Sequence, residues 1–165
     1  MTRIGTRTDR LSHMRRRRWL KGCLAVPLGI AAMHATRAVA AAQAPRDAFA
    51  ANTFAEALGA LRGPGAAMPT PSARITLAAP AVADDGAFVP IAVTSELPGT
   101  REIVLLFDGN PQPAAVAFTI PAGTEPYVAT RIRMATSGVI HAVVRSDDGL
   151  FIASRAVEVV AGACG

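Results

Sequence analysis

The sequence predicts an all-β protein, most of which folds as an antiparallel β-sandwich with a short N-terminal helix before it and a flexible arm after it. Three observations lead to this fold class. Seven short apolar runs follow one another with turn residues between them and no helical segment in the interval. The 165 residues are 51% hydrophobic and 18% charged, which excludes a disordered chain. Twelve prolines and 14 glycines are spread along the chain and disfavour long helices.

The first forty residues have the pattern of an export signal, and 1–40 is predicted to be a twin-arginine-type signal peptide. A basic stretch around Arg16 and Arg17 precedes an apolar stretch of about 12 residues, which is shorter than the roughly 20 that a spanning helix needs. Arg16-Arg17-x-Trp-Leu-Lys resembles the twin-arginine signal, and Ala38-Val39-Ala40 fits a small-x-small cleavage site. We therefore expect the periplasm and no stable membrane anchor. The alternative is an ordinary secretory signal with extra arginines.

The formal charge of +5 belongs to this signal. Nine of the 17 basic residues lie between Arg3 and Arg37, whereas from Ala41 onward eight arginines stand against eleven aspartates and glutamates. The rest of the chain is mildly acidic and has no basic or aromatic stripe. A nucleic-acid partner is therefore not predicted.

Residues 41–72 are predicted to form the N-terminal helix and a linker. Apolar residues near helical spacing precede a Gly63-Pro64-Gly65 stop; they are Phe49, Phe54, Ala57, Leu58 and Leu61. Residues 63–72 contain three prolines and two glycines, which is typical of a linker.

Residues 73–160 are predicted to form the β-sandwich. In one run, Ile91, Val93 and Ser95 alternate with Ala92 and Thr94, which indicates a strand with one buried face. Asp148-Gly149 between two alternating runs predicts a two-residue hairpin. The predicted strands are Arg74–Ala78, Phe88–Ser95, Glu102–Phe107, Ala114–Ile120, Tyr127–Met134, Ile140–Ser146 and Phe151–Val160.

Residues with catalytic or metal-binding chemistry are few. His141 is the only histidine after the signal and lies in an apolar run, so it is interpreted as a structural strand residue. The pairs Asp84-Asp85 and Asp147-Asp148 each precede a glycine and are interpreted as turn formers. No metal, no cofactor and no phosphate-binding loop is predicted.

The last five residues, 161–165, are predicted to be a flexible arm that carries a thiol. Cys164 is the single cysteine left after removal of the signal, and its neighbours Gly162, Ala163 and Gly165 are small. An odd cysteine in an exported protein indicates a reactive thiol or an intermolecular bond. No basic residue follows Arg155 to activate the thiol, so other enzymes are expected to act on Cys164.

From about Phe49 to Gly165 the chain resembles SoxY, the sulfur-carrier family of the bacterial Sox thiosulfate-oxidation system. The resemblance includes the twin-arginine signal and the ending Gly162-Ala163-Cys164-Gly165, which is similar to the family's Gly-Gly-Cys-Gly-Gly. It also includes the segments 54–58, 89–93, 95–99, 109–111, 121–125 and 130–134.

The resemblance implies an immunoglobulin-like sandwich that is a covalent substrate carrier and not an enzyme. Cys164 would be the attachment residue, and Gly162, Ala163 and Gly165 would form the flexible arm. The implied partners are a SoxZ-like subunit in a heterodimer, a SoxAX-like haem protein that joins thiosulfate to the thiol, and a SoxB-like hydrolase that releases sulfate. A sulfane dehydrogenase would act on the remaining sulfur where one is present.

Two departures from the family pattern concern the arm. Ala163 stands where the family usually has glycine, and the chain stops one glycine early. Whether these differences narrow the set of partner enzymes stays open. Two other functions stay open: an exported interaction module that uses Cys164 for an intermolecular disulfide, and a thiol enzyme that acts through Cys164 and His141.

Overall fold

The computed structural model describes residues 45–160. Its helices are residues 45–50 (α1) and Phe54–Arg62 (α2). Its strands are β1 (Thr70–Pro71), β2 (Ile75–Ala78), β3 (Val82–Ala83), β4 (Val89–Ser95), β5 (Glu102–Phe107), β6 (Ala114–Thr119), β7 (Tyr127–Ile132), β8 (Gly138–Ser146) and β9 (Gly149–Val159). All seven predicted strands are present with ends within two residues of the prediction, and the all-β class is confirmed.

The predicted N-terminal helix is divided into two. Thr53 has an extended backbone, and its hydroxyl accepts a hydrogen bond from the Glu56 N–H at 3.2 Å, which starts a new helix at Phe54. The Glu56 carboxylate accepts in turn from the Asn52 N–H at 3.1 Å. α2 ends as predicted, at Gly63, whose φ of 78° lies in the region that favours glycine.

The strands form two packed sheets, which confirms the predicted sandwich. The larger sheet has the order β1-β9-β8-β5-β6, and β3 pairs with the later part of β9; the smaller sheet has the order β2-β4-β7. β1 and β3 were not predicted, and both pair with β9 in parallel. A two-residue strand is too short to show a period of two, and Thr70–Pro71 lies inside the stretch interpreted as a linker.

The hairpin between β8 and β9 is present, but its loop lies one residue earlier than predicted. Ser146 pairs with Gly149, so the loop residues are Asp147 and Asp148. Gly149 is the first residue of β9 and has a φ of 130°. The glycine is therefore required at the start of the strand, where an L side chain would be strained.

The larger sheet is buried on both faces. On one face Ile103, Leu105 and Phe107 of β5 pack against the smaller sheet. On the other face Val104 and Leu106 pack against α1 and α2. This two-sided burial explains why β5 is a continuous apolar run, whereas β4 alternates as predicted between buried and partly exposed residues.

Candidate functional site

The predicted site residues lie outside the described part of the chain. Gly162, Ala163, Cys164 and Gly165 all follow Val160, the last described residue, and Arg16 and Arg17 precede residue 45. The feature that bears on Cys164 is therefore the end of β9 at Val159, five residues before the cysteine. We call Val159 and Val160, with the residues that hold them, the arm root.

Hydrogen bonds hold the arm root on both edges of β9. On one edge β3 continues the sheet, because the Val160 N–H donates to the Ala83 carbonyl at 3.0 Å. On the other edge β8 pairs with β9 as far as Val157. Beyond that point the Ser137 side chain bonds to β9 in place of a strand. The Ser137 hydroxyl accepts from the Val159 N–H at 2.9 Å and donates to the Val159 carbonyl at 3.4 Å. The backbone is thus fixed up to the start of the predicted arm.

A glycine lies directly against the arm root. A Cβ on Gly86 would come within 2.4 Å of the Met134 carbonyl oxygen and 2.8 Å of Val159 Cγ1. The Met134 N–H donates to the Gly86 carbonyl at 2.8 Å, and the Met134 side chain is buried. Gly86 was interpreted only as part of a turn, but its position also requires the absence of a side chain.

Carboxylates border the arm root. Asp84 directly follows Ala83, the β3 residue that pairs with Val159, and Asp85 follows it. Glu158 lies one residue before Val159, and all three of these carboxylate side chains are exposed. An anion beside them would be repelled rather than stabilised.

His141 lies on the helix-covered face of the larger sheet. Its Nδ1 is 2.7 Å from the Ser154 hydroxyl oxygen, and its ring packs against Phe54 with centroids 4.4 Å apart. Burial lowers the pKa of His141 below its ordinary value of 6.5, and the negative charge of Asp108 opposes this shift. Its strand partner Ser154 is six residues before Val160, a span of about 20 Å, whereas the four residues from Val160 to Cys164 span only about 14 Å. An arm that ran back along β9 would therefore end short of Ser154.

An open groove of about 960 Å³ crosses the outer face of the smaller sheet. Phe88 at its edge is 69% exposed, which is unusual for a large aromatic residue. The alternation in β4 indicated that Ala92 faces away from the core, but it did not indicate a groove. The residues that line it, which we call the outer groove, are Ala78, Ala79, Pro80, Phe88, Pro90, Ile91, Ala92, Ala129, Thr130, Arg131 and Arg155.

A metal-binding cluster and a membrane-spanning helix are both absent from the described range 45–160. No group of three or more His, Cys, Asp or Glu side chains in that range could hold a metal ion. No helix in the same range is long and apolar enough to cross a membrane.

Comparison with known proteins places this helix-backed sandwich in a class of sulfur oxidation proteins. Residues 62–164 match the family described as "Sulfur oxidation protein SoxY". The chain belongs to the SoxY family and has a role in sulfur oxidation. No curated protein matches the chain.

One solved structure of a SoxY protein gives the same result for the fold. The sulfur carrier protein SoxY from Chlorobium limicola f thiosulfatophilum is 27% identical, with a TM-score of 0.52 over 78% of this chain and 98% of that chain. A superoxide reductase (neelaredoxin) from Ignicoccus hospitalis is 21% identical, with a TM-score of 0.47 over 52% of this chain and 80% of that chain.

Proposed function

We propose that this protein is a periplasmic sulfur carrier in thiosulfate oxidation, which holds sulfur intermediates covalently on Cys164 and presents them to partner enzymes. It is itself a substrate carrier and not a catalyst. The observation that carries the proposal is the position of Cys164. The cysteine is the last residue of the family match and lies five residues beyond Val159, the end of a strand that is hydrogen-bonded on both edges.

The arm root supports a division of roles between carrier and enzymes. A fixed strand end followed by small residues would let the thiol reach about 14 Å beyond Val160, at roughly 3.3–3.6 Å per residue. The carboxylates of Asp84, Asp85 and Glu158 provide no stabilisation for a thiolate at the arm root. The thiol would therefore be activated inside the sites of other proteins.

The proposed chemistry has two steps. In the first, the Cys164 thiol and thiosulfate form Cys–S–S–SO3⁻, releasing one proton and two electrons, which a SoxAX-like haem protein accepts. In the second, a SoxB-like hydrolase adds water to this adduct and releases sulfate and two protons, which leaves Cys–S–S⁻. A sulfane dehydrogenase, where present, would oxidise the remaining sulfur, and a SoxZ-like subunit would form a heterodimer with the carrier.

Export by the twin-arginine route is part of the proposal. The export machinery would recognise Arg16 and Arg17, and residues 1–40 would then be removed. Because that route carries folded proteins, a SoxZ-like subunit without its own signal could leave the cytoplasm in the same complex. Replacement of Arg16 and Arg17 by lysine should retain the precursor in the cytoplasm, as measured by fractionation.

Intact mass spectrometry tests the carrier function. The mature protein is recovered from cells during thiosulfate oxidation and measured with and without a reductant. We expect masses that correspond to added thiosulfate or added sulfur atoms, which the reductant removes and which map to the Cys164 peptide. Cys164→Ser, which keeps a side chain of similar size, should carry no adduct and should abolish thiosulfate oxidation.

Two outcomes would overturn the proposal. If Cys164 is found only as a free thiol during active thiosulfate turnover, the protein does not carry sulfur. If Cys164 is found only in a disulfide with another protein chain, the exported interaction module is the correct function.

A further inference from the structure

We propose that Ser137 is a positioning residue for the reactions of Cys164, because its hydroxyl fixes the point from which the predicted arm extends. This inference rests on the proposed carrier function. Ser137 acts through the backbone of Val159 and not on the reacting atoms. Its role is to keep the free segment before Cys164 short, so that the cargo is concentrated in the site of an enzyme to which the carrier has docked.

The end of β9 extends past β8. The first residue of β8, Gly138, pairs with Val157, so the last two residues of β9 have no strand beside them on that edge. The Ser137 hydroxyl takes the place of the strand: it accepts from the Val159 N–H at 2.9 Å and donates to the Val159 carbonyl at 3.4 Å. One side chain therefore satisfies both polar backbone groups of Val159 on that edge.

The opposite edge is held by a very short strand. β3 has two residues, and within residues 45–160 it pairs only with β9. It contributes two hydrogen bonds, from the Glu158 N–H to the Ala81 carbonyl at 2.9 Å and from the Val160 N–H to the Ala83 carbonyl at 3.0 Å. A two-stranded piece of sheet is marginally stable by itself. Ser137 is therefore what connects this end of β9 to the turn that begins β8.

The Ser137 hydrogen bonds shorten the segment that can move. Five residues separate Val159 from Cys164, a reach of about 17 Å, whereas seven separate Val157 from Cys164, a reach of about 24 Å. The effective concentration of a tethered group falls roughly as the −3/2 power of the tether length. A tether that grows from five residues to seven therefore lowers the concentration of the cargo inside a docked enzyme about twofold.

This role can be separated from folding. Ser137 lies in the turn between β7 and β8, and its side chain is exposed. Its removal leaves no cavity in the core, and water can bond to the freed backbone groups. Ser137→Ala should therefore change the stability of the fold little while it loosens the end of β9.

The experiment uses the full mature protein together with any subunit that copurifies with it. Tetrathionate loads Cys164: the thiolate attacks a central sulfur, Cys–S–S–SO3⁻ forms, and thiosulfate leaves. Mass spectrometry checks that every variant is loaded equally. Sulfate release by a SoxB-like hydrolase from the same organism is then measured over a range of carrier concentrations. We expect Ser137→Ala to lower kcat/KM about twofold.

Three matched variants isolate the effect of the hydroxyl. Ser137→Thr keeps a hydroxyl at the same position and should restore kcat/KM. Thr136→Ala removes the neighbouring hydroxyl, which donates to the Gly109 carbonyl at 3.3 Å and not to β9, and should leave kcat/KM unchanged. Insertion of two glycines after Val160 lengthens the tether by two residues without a change at Ser137 and should reproduce the twofold loss.

Two further measurements distinguish positioning from a change in structure or chemistry. The unloaded Cys164 thiol should react with a small neutral disulfide at the same rate in all variants, because a small molecule does not need a positioned arm. In Ser137→Ala the amide hydrogens of Val159 and Val160 should exchange about fivefold faster, the factor that one hydrogen bond of ordinary net strength provides. The exchange of Val157, which pairs with Gly138, should be unchanged.

The outcomes separate this inference from the carrier function. If tetrathionate does not load Cys164, or the hydrolase releases no sulfate from the loaded protein, both are overturned. If Ser137→Ala is as good a substrate as the unmodified carrier, only the role of Ser137 is overturned. The same holds if Ser137→Thr does not restore kcat/KM, or if the loss in Ser137→Ala is matched by an equal loss of reactivity toward the small disulfide.

Discussion

Replacing Gly86 with alanine should destabilise the protein, although most glycine-to-alanine changes at permissive sites stabilise. The new Cβ would lie 2.4 Å from the Met134 carbonyl oxygen and 2.8 Å from Val159 Cγ1. The oxygen belongs to the backbone, and the Met134 N–H is bonded to Gly86, so the two segments cannot separate without loss of that bond. Overpacking of this kind costs about 1–3 kcal/mol.

A matched substitution in α2 provides the control. Alanine at either glycine reduces the entropy of the unfolded chain, which favours folding by about 0.4–1 kcal/mol. At Gly59 a Cβ would meet nothing within 4 Å, so Gly59→Ala should stabilise by about 0.5–1 kcal/mol. Because the unfolded-state contribution is common to both, the difference of about 1–3 kcal/mol reports the contact at the arm root.

Urea unfolding followed by circular dichroism measures this difference. We expect the midpoint of Gly86→Ala to fall and that of Gly59→Ala to rise, with the same dependence on urea concentration in both. A Gly86→Ala protein as stable as the unmodified one would refute the reasoning, because it would mean that β9 does not lie against Gly86 as described.

Three further predictions use the same unfolding assay. Thr53→Ala should cost about 1 kcal/mol through loss of the α2 cap, and Thr53→Ser should restore most of it. Leu105→Ala should cost about 2–5 kcal/mol because the side chain is fully buried, whereas Val82→Ala, 50% exposed, should change stability by less than about 0.5 kcal/mol. His141 has a pKa lowered by burial, so the unfolded chain binds the proton first as pH falls below about 6.5. Stability should therefore decrease from pH 8 to pH 5, and His141→Gln should show a smaller decrease; an equal decrease would contradict the assignment.

Most of the fold was predictable because strand periodicity and turn residues are local properties of the sequence. The seven longer strands, the end of α2 at Gly63 and the alternation in β4 follow from residues that are neighbours in the chain. The break between α1 and α2 was missed because the apolar spacing continues across it. Only the Thr53 cap marks it.

The candidate site was predictable in one part and not in another. The interpretation of Cys164 as the reactive residue depends on its being the single cysteine after the signal, and it stays a prediction. The outer groove could not be predicted, because Phe88, Arg131 and Arg155 are far apart in the chain and come together only when β4, β7 and β9 are packed.

The sequence by itself determined the seven longer strands and the end of α2 at Gly63, since each depends on residue type and short-range spacing. The export signal and the role of Cys164 stay predictions. The tertiary structure decided which strands pair, which faces are covered and where backbones approach closely. Burial of β5 on both faces, the pairing of β3 with the end of β9 and the contact of Gly86 with Val159 depend on chain segments that are distant in sequence. Such contacts form only when the sheets pack, so no local pattern in the sequence predicts them.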